Sequence, residues 1–247
     1  MAEAHTSLAF CLARYDFDLE QSLKEFERAI QLNPNYATAH QWSAGSLAVL
    51  GQFDRAIAEG KRAVELDPLS LIINTDLGTA YFIARRYDEA IAQFRKTIEM
   101  DPRFYRAHVV LGRVWQLKGQ LNEAIAEYRK ALELNDDPFV LASLGQAYAR
   151  AGQREEALRI LARLSEEAKS RYVRAYSFAL MYLALGDKER AIDEMERAYR
   201  ERAGSDVVWM KVNPFLDDLR GNPRFEALVQ KISAPKKAEA DSRQPLP

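Results

Sequence analysis

Apolar residues in this chain recur at helical spacing, and one pattern of large, small and polar positions returns several times along it. In the stretch LGTAYFIARRYDEAIAQF, Leu77 to Phe94, Gly78 sits beside Leu77, Tyr81 follows three residues later, Ala90 nine after that, and Phe94 four further on. β-Branched residues nowhere cluster in alternating runs, so the pattern predicts helices and no strands. Good helix formers (Ala, Leu, Glu, Arg and Lys) dominate. Outside the C-terminal tail the prolines fall at punctuation points, where a helix must stop.

The pattern has a period. Pro34, Pro68 and Pro102 are 34 residues apart, with Asp136 and Ala203 taking later turns in the same role. Ala56, Ala90, Ala124, Ala157 and Ala191 form a second ladder, Gly51, Gly119, Gly152 and Gly186 a third, and Gly78, Gly112 and Gly145 a fourth. Four ladders in register predict an array of helix pairs, in which a unit buries its apolar face only against its neighbours. Gly78 and its equivalents let the first helix of a pair, helix A, lie close to the second, helix B, with Tyr81, Trp115, Tyr148 and Tyr182 filling the space beside them. The ladder alanines are small where helices cross. The third ladder ends helix A in a left-handed turn.

These spacings place six repeats at about residues 2–36, 37–70, 71–104, 105–137, 138–171 and 172–205. Repeat 1 carries an extra residue around ARYDFDLEQ, and Ser22 replaces its crossing alanine. Arg85 takes the turn position that glycine holds elsewhere. Residues 206–232 break the pattern and read as a C-terminal helical cap, with Trp209, a short NPFLDDL turn and a helix from about Pro223 to Ile232. Residues 233–247 are Pro-rich and polar and read as a disordered tail.

The period and the residues Leu77-Gly78-Tyr81, Ala90-Phe94 and Pro102 resemble the tetratricopeptide repeat (TPR), whose signature is L-G-x2-Y, A-x3-F and P. Leu111-Gly112-Trp115 with Ala124-Tyr128, and Leu144-Gly145-Tyr148 with Ala157, match nearly as well. The resemblance implies an all-α, right-handed superhelical solenoid. A narrower one, in Tyr15 to Trp42 (YDFDLEQSLKEFERAIQLNPNYATAHQW) and in VNPFLDDLRGNPRFEALVQKI, is to the TPR halves of bacterial winged-helix transcriptional regulators and bacterial protein kinases. Their winged-helix, kinase and membrane segments are absent here, so this implies a sensing or scaffolding part.

Charge changes this picture little. With 35 basic and 36 acidic residues the net charge is −1, too little for a global field that would draw in nucleic acid or an anionic membrane. No apolar run approaches the roughly 20 residues of a spanning helix. The N-terminus has acids where a secretory signal carries its basic flank. As written the chain reads as cytoplasmic; it would be extracytoplasmic as part of a membrane regulator.

Candidate chemistry is sparse. His5, His40 and His108 share one repeat position and face one way from different repeats, which suits packing better than a shared metal ion. Cys11, the one cysteine, reads as a small buried hydrophobe within a helix. The acidic strings Asp16-Asp18-Glu20 and Asp136-Asp137 lack the glycine and distal glutamate of a calcium loop. Asp217-Asp218 would point in different directions on a helix. No nucleotide loop or triad is present. The expectation is a chain that is not an enzyme and needs no cofactor.

Function is then expected in the concave groove, which the TPR resemblance assigns to helix A positions 2, 5, 9, 12 and 13. Among these, Phe10, Phe82, Phe139, Val109 and Tyr176 supply apolar surface. Arg106, Arg113 and Arg150 supply charge, and Gln41, Thr75, Thr79, Gln116 and Gln146 supply hydrogen-bonding groups. Such a surface suits a peptide or helix with apolar anchors and an acidic group. The lysine and asparagine clamp of chaperone-binding TPRs is not reproduced. The leading expectation is a non-enzymatic interaction module from a bacterial regulator. A stand-alone cytosolic scaffold or assembly factor is the alternative, and an unrecognised hydrolase a third. The exposed start of repeat 1, around Leu8, Phe10 and Leu12, is expected to self-associate weakly or fray.

Overall fold

The computed structural model describes residues 1–203 and 205–233. Six helix pairs follow one another: α1 (Ala2–Cys11) with α2 (Leu19–Leu32), α3 (Ala37–Val49) with α4 (Phe53–Leu66), α5 (Leu71–Ile83) with α6 (Tyr87–Met100), α7 (Tyr105–Leu117) with α8 (Leu121–Leu134), α9 (Pro138–Arg150) with α10 (Arg154–Glu167), and α11 (Ala175–Ala184) with α12 (Lys188–Arg200). A short α13 (Ser205–Trp209), a 3-10 turn (Pro214–Leu219) and α14 (Pro223–Ser233) complete the chain. The architecture is an all-helical α-solenoid, with no strand among the described residues. The last helix runs one residue past the expected cap, through Ser233; the rest of the tail reading lies outside the described residues.

Local chemistry sets the boundaries. Asp18, Ser70 and Asp187 accept from the backbone N–H three residues on, and Asp137 accepts from Phe139 N at 2.8 Å with Pro138 opening the helix; each such cap is worth about 1 kcal/mol. Helix A ends in left-handed turns at Gly51, Gly119, Gly152 and Gly186 (φ 78°, 77°, 75° and 90°), and Arg85 occupies the same conformation at φ 62°. The extra residue of repeat 1 is absorbed by π-helical winding over Leu12–Asp16, which ends at Phe17 with φ 57°. One wide turn takes up the insertion while both flanking helices keep their faces.

Packing follows the ladders. Ala56, Ala90, Ala124, Ala157 and Ala191 are fully buried, as is Ser22, whose hydroxyl meets that of Ser46 at 3.5 Å. A Cβ on Gly78 would land in the Phe94 ring, and one on Gly112 would come within 2.8 Å of Tyr128. The histidine position proves to be a clasp. His40 holds Glu59 through Nδ1 at 2.5 Å and the Pro34 carbonyl through Nε2 at 3.0 Å; His108 repeats this with Glu127 at 2.6 Å and the Pro102 carbonyl at 3.0 Å. Asn74 takes this part in repeat 3, donating to the Pro68 carbonyl at 3.0 Å while accepting from Gln93 at 2.8 Å.

Two expectations need correcting. Cys11, the last residue of α1, is exposed, not buried. At the start of the chain, Leu8 is 48% exposed as expected, but Phe10 and Leu12 are partly covered, Phe10 by the Trp42 ring at 4.6 Å. The two ends of the array also meet, with Phe17 stacked on Tyr199 of α12 at 6.0 Å.

Candidate functional site

Helices α1, α3, α5, α7, α9 and α11 line the concave face, and the C-terminal segment packs into it. Val207, Val208, Met210, Phe215, Leu216 and Leu219 are each at most 3% exposed, and their apolar cluster includes Phe82, Ile83 and Tyr176. The driving force is apolar burial of residues that would otherwise leave the groove wet, at roughly 25 cal/mol per Å².

Phe215 is the anchor of this insertion. Its ring lies 6.3 Å from that of Phe82, and the guanidiniums of Arg113 and Arg150 lie 5.1 and 5.4 Å from its centroid. Asn213 fixes the approach. Its amide donates to the Tyr176 hydroxyl at 2.5 Å, and its Oδ1 accepts from Phe215 N at 3.1 Å and from Arg113 at 3.4 Å. Asp217 closes a pair with Arg85 at 2.8 Å, and Lys188 donates to the Asp218 carbonyl at 3.0 Å. Burial of the Tyr176 phenol pushes its pKa up, so it stays neutral beside Asn213.

The groove residues therefore part into three groups. Arg113, Arg150, Phe82 and Tyr176 hold the cap. Phe10, Gln41, Thr79, Arg106, Val109 and Phe139 line a cavity of about 420 Å³ that the cap leaves open, and Phe82, Arg113 and Tyr176 also border it. Thr75, Gln116, Gln146 and Arg150 do not line it. Thr75 spends its hydroxyl on the Leu71 carbonyl at 2.7 Å, Gln116 accepts from Tyr128 at 2.9 Å, and Gln146 is buried. Of the three expected arginines, Arg113 and Arg150 share Phe215, while Arg106 borders the same cavity as Arg113 and stands exposed at its mouth.

The cavity also holds carboxylates that the groove positions do not include. Asp76, Asp137 and Asp206 line it together with Arg14, Arg106, Arg113 and Arg174. Arg174 bridges Asp206 at 3.3 Å and Asp137 at 3.8 Å. Asp76 accepts from Gln41 at 2.6 Å; burial raises its pKa, opposed by that bond and by Arg106 and Arg14. Burial raises Asp206 as well, against Arg174. Arg14 lies 4.9 Å from the Phe10 ring centroid, and burial pushes its pKa down. Among the described residues neither Arg14 nor Arg106 has an ion-pair partner within 4 Å. Asp76 lies off the expected groove stripe because it sits one position after Thr75. Asp206 escaped the sequence reading because its place depends on the cap folding back.

Among the described residues no cluster of His, Cys, Asp and Glu could hold a metal ion, and no helix is long and apolar enough to cross a membrane.

A family model described as tetratricopeptide repeat matches residues 8–70 and 75–137, and two others with the same description match 140–171 and 175–203. Among solved structures, the chain is similar to TTC0263, a thermophilic TPR protein in Thermus thermophilus, with 26% identity over 75% of this chain and 99% of that one and a TM-score of 0.64. MamA shares 25% identity over 63% of this chain and 92% of that one, with a TM-score of 0.52. PilW, a type IV pilus biogenesis factor, shares the fold at 22% identity over 81% and 92% of the two chains, with a TM-score of 0.62. No curated protein matches. With family models covering the array from residue 8 to residue 203, the chain belongs to the tetratricopeptide repeat family.

Proposed function

We propose that this TPR protein is a protein-interaction module whose concave face takes a partner segment bearing an apolar anchor and an acidic group. The observation that carries the reading is the molecule's own cap. Within NPFLDDL, Phe215 lies against Phe82 and two guanidiniums while Asp217 pairs with Arg85. An intramolecular segment with this chemistry already lies along repeats 3 to 6, and the open cavity offers Phe10 and Arg14 from repeat 1, Arg106 from repeat 4 and Phe139 from repeat 5.

The partner is a protein or peptide, and the array works as a scaffold, with binding rather than chemistry as its output. In keeping with the resemblance of Tyr15–Trp42 and of the cap, the module serves as the sensing or scaffolding part of a bacterial regulator. Exposed Leu8 on α1 offers a weak self-association face. The test is charge reversal at the cavity mouth. Arg106→Glu should weaken partner binding at least tenfold with Tm nearly unchanged, because Arg106 holds no other residue in place. Undiminished binding would remove the cavity as the partner's site.

A further inference from the structure

The open cavity has the size of a small-ligand site, about 420 Å³, within the few hundred Å³ usual for such sites. Its walls are aromatic: Phe10, Trp42, Tyr105, Phe139 and Trp209 border it. Cap residues Asp206, Val208, Trp209 and Asn213 form one side, so a long segment cannot lie along the full groove without moving the cap. What the space accommodates with the cap in place is one compact group.

Charge narrows the class. Four guanidiniums and three carboxylates line the cavity, an excess of one positive charge. Arg174 is committed to Asp206 and Asp137, and Arg113 leans on the Phe82, Phe139 and Phe215 rings. Arg14 and Arg106 remain, without ion-pair partners within 4 Å among the described residues, each close enough to feel the other's charge and that of Asp76. Asp76 and Asp206 act on Arg14 from the same cavity, and Arg106 opposes them. With four guanidiniums against three carboxylates, an added anion between Arg14 and Arg106 would offset the remaining positive charge. A dianion such as phosphate would meet the carboxylate of Asp76. A monoanion with an apolar body matches both the charge excess and the aromatic walls.

We propose that this cavity is a carboxylate-binding site, in which Arg14 and Arg106 hold one carboxylate while Phe10, Trp42, Phe139 and Trp209 take up an aromatic or branched apolar body. The carboxylate belongs either to a free small acid or to an acidic residue beside an apolar one on a partner. The inference deepens the reading of the concave face as the binding surface and rests on it.

The experiment uses the full chain and four probes: 3-phenylpropionate, its amide, inorganic phosphate, and acetyl-Phe-Asp-amide, whose only carboxylate is a side chain. Binding is followed by calorimetry and by tryptophan fluorescence, since Trp42 and Trp209 line the cavity. At least one acid should bind one-to-one, and the phenylpropionamide should bind at least tenfold more weakly than an acid that binds. Arg106→Gln should reduce acid binding at least tenfold at unchanged Tm, and Arg14→Gln should act in the same direction. Binding of phenylpropionate identifies a free acid as sufficient, and binding of the peptide alone identifies a protein-borne carboxylate; either supports the site. Equal binding of acid and amide, no binding of either acid, indifference to both arginine variants, or tighter binding of inorganic phosphate would overturn it. If both acids fail while partner capture still depends on Arg106, the carboxylate inference falls and the groove reading stands; the converse pattern separates them the other way.

Discussion

Arg85 and Asp217, 132 residues apart in sequence, meet in a two-pronged ion pair, with Nη2 on Oδ1 at 2.9 Å and Nη1 on Oδ2 at 2.8 Å. The arginine stands in a left-handed turn that favours glycine, so its presence costs about 1 kcal/mol of backbone strain. Both side chains are about half exposed, which limits the pair to about 1 kcal/mol or less. The two terms nearly cancel.

Arg85→Gly should therefore leave Tm within a few degrees of the parent, because relief of strain offsets the lost pair. Arg85→Ala loses the pair without that relief and should be the less stable of the two. Hydrogen exchange read at Phe215–Leu219 should quicken in both variants. A cap that exchanges no faster would mean that the apolar contacts alone hold it.

Glycines on helix A separate in the same way. Gly78→Ala would drive a methyl into the Phe94 ring and should cost about 1–3 kcal/mol. Gly45 has nothing within 4 Å of where its Cβ would lie and its φ is not left-handed, so Gly45→Ala should gain about 0.5–1 kcal/mol. Chemical denaturation of the two variants checks the contrast, and a loss at Gly45 would reveal a contact with the cavity contents.

Much of this was legible in the sequence because it is local. Gly78 against Phe94, the turn glycines and the buried alanines repeat at a fixed period, and each meets a neighbour within its own repeat or the next. The clasp of His40 and His108 was half legible: the shared position was visible, but the acid nineteen residues on and the proline carbonyl six back were not joined to it. The fold-back of Phe215 was not legible. Its contacts reach Phe82, Arg113 and Arg150 across three repeats, and no period marks a segment that occurs once. The chemistry inferred for a groove ligand, an apolar anchor with an acid, nevertheless describes NPFLDDL itself.

The clasps make stability depend on pH. The bond to Glu59 raises the His40 pKa above its usual 6.5, burial opposing, and the bond to Glu127 does the same for His108. A folded pKa above the unfolded one means that the native state holds the proton more tightly. This contribution is complete below about pH 6.5 and is lost as pH rises through the raised values. Urea midpoints should fall across that window and flatten in His40→Gln with His108→Gln. An equal slope in the double variant would remove the histidines as its cause.

Reversing Arg113 and Arg150 together tests the cap and not the partner. Each guanidinium over Phe215 is worth about 0.5–2 kcal/mol, so Arg113→Glu with Arg150→Glu should lower Tm clearly and speed exchange at Val207–Leu219. An unchanged Tm would show that Phe215 is held by Phe82 and its apolar neighbours alone.

Everything proposed for the concave face turns on whether the partner's acidic, apolar segment enters the cavity between Arg14 and Arg106. A photo-crosslinking residue placed at Gly45, which lines the cavity, reads this out, with a control at exposed Arg159 on the outer face of α10. Crosslinks formed in the source cell are then mapped by mass spectrometry. Position 45 should capture one recurrent partner segment containing an acid beside an apolar residue, and Arg106→Glu should abolish that capture. Recurrent capture from position 159 with none from position 45, or capture from position 45 that persists unchanged in Arg106→Glu, would contradict it.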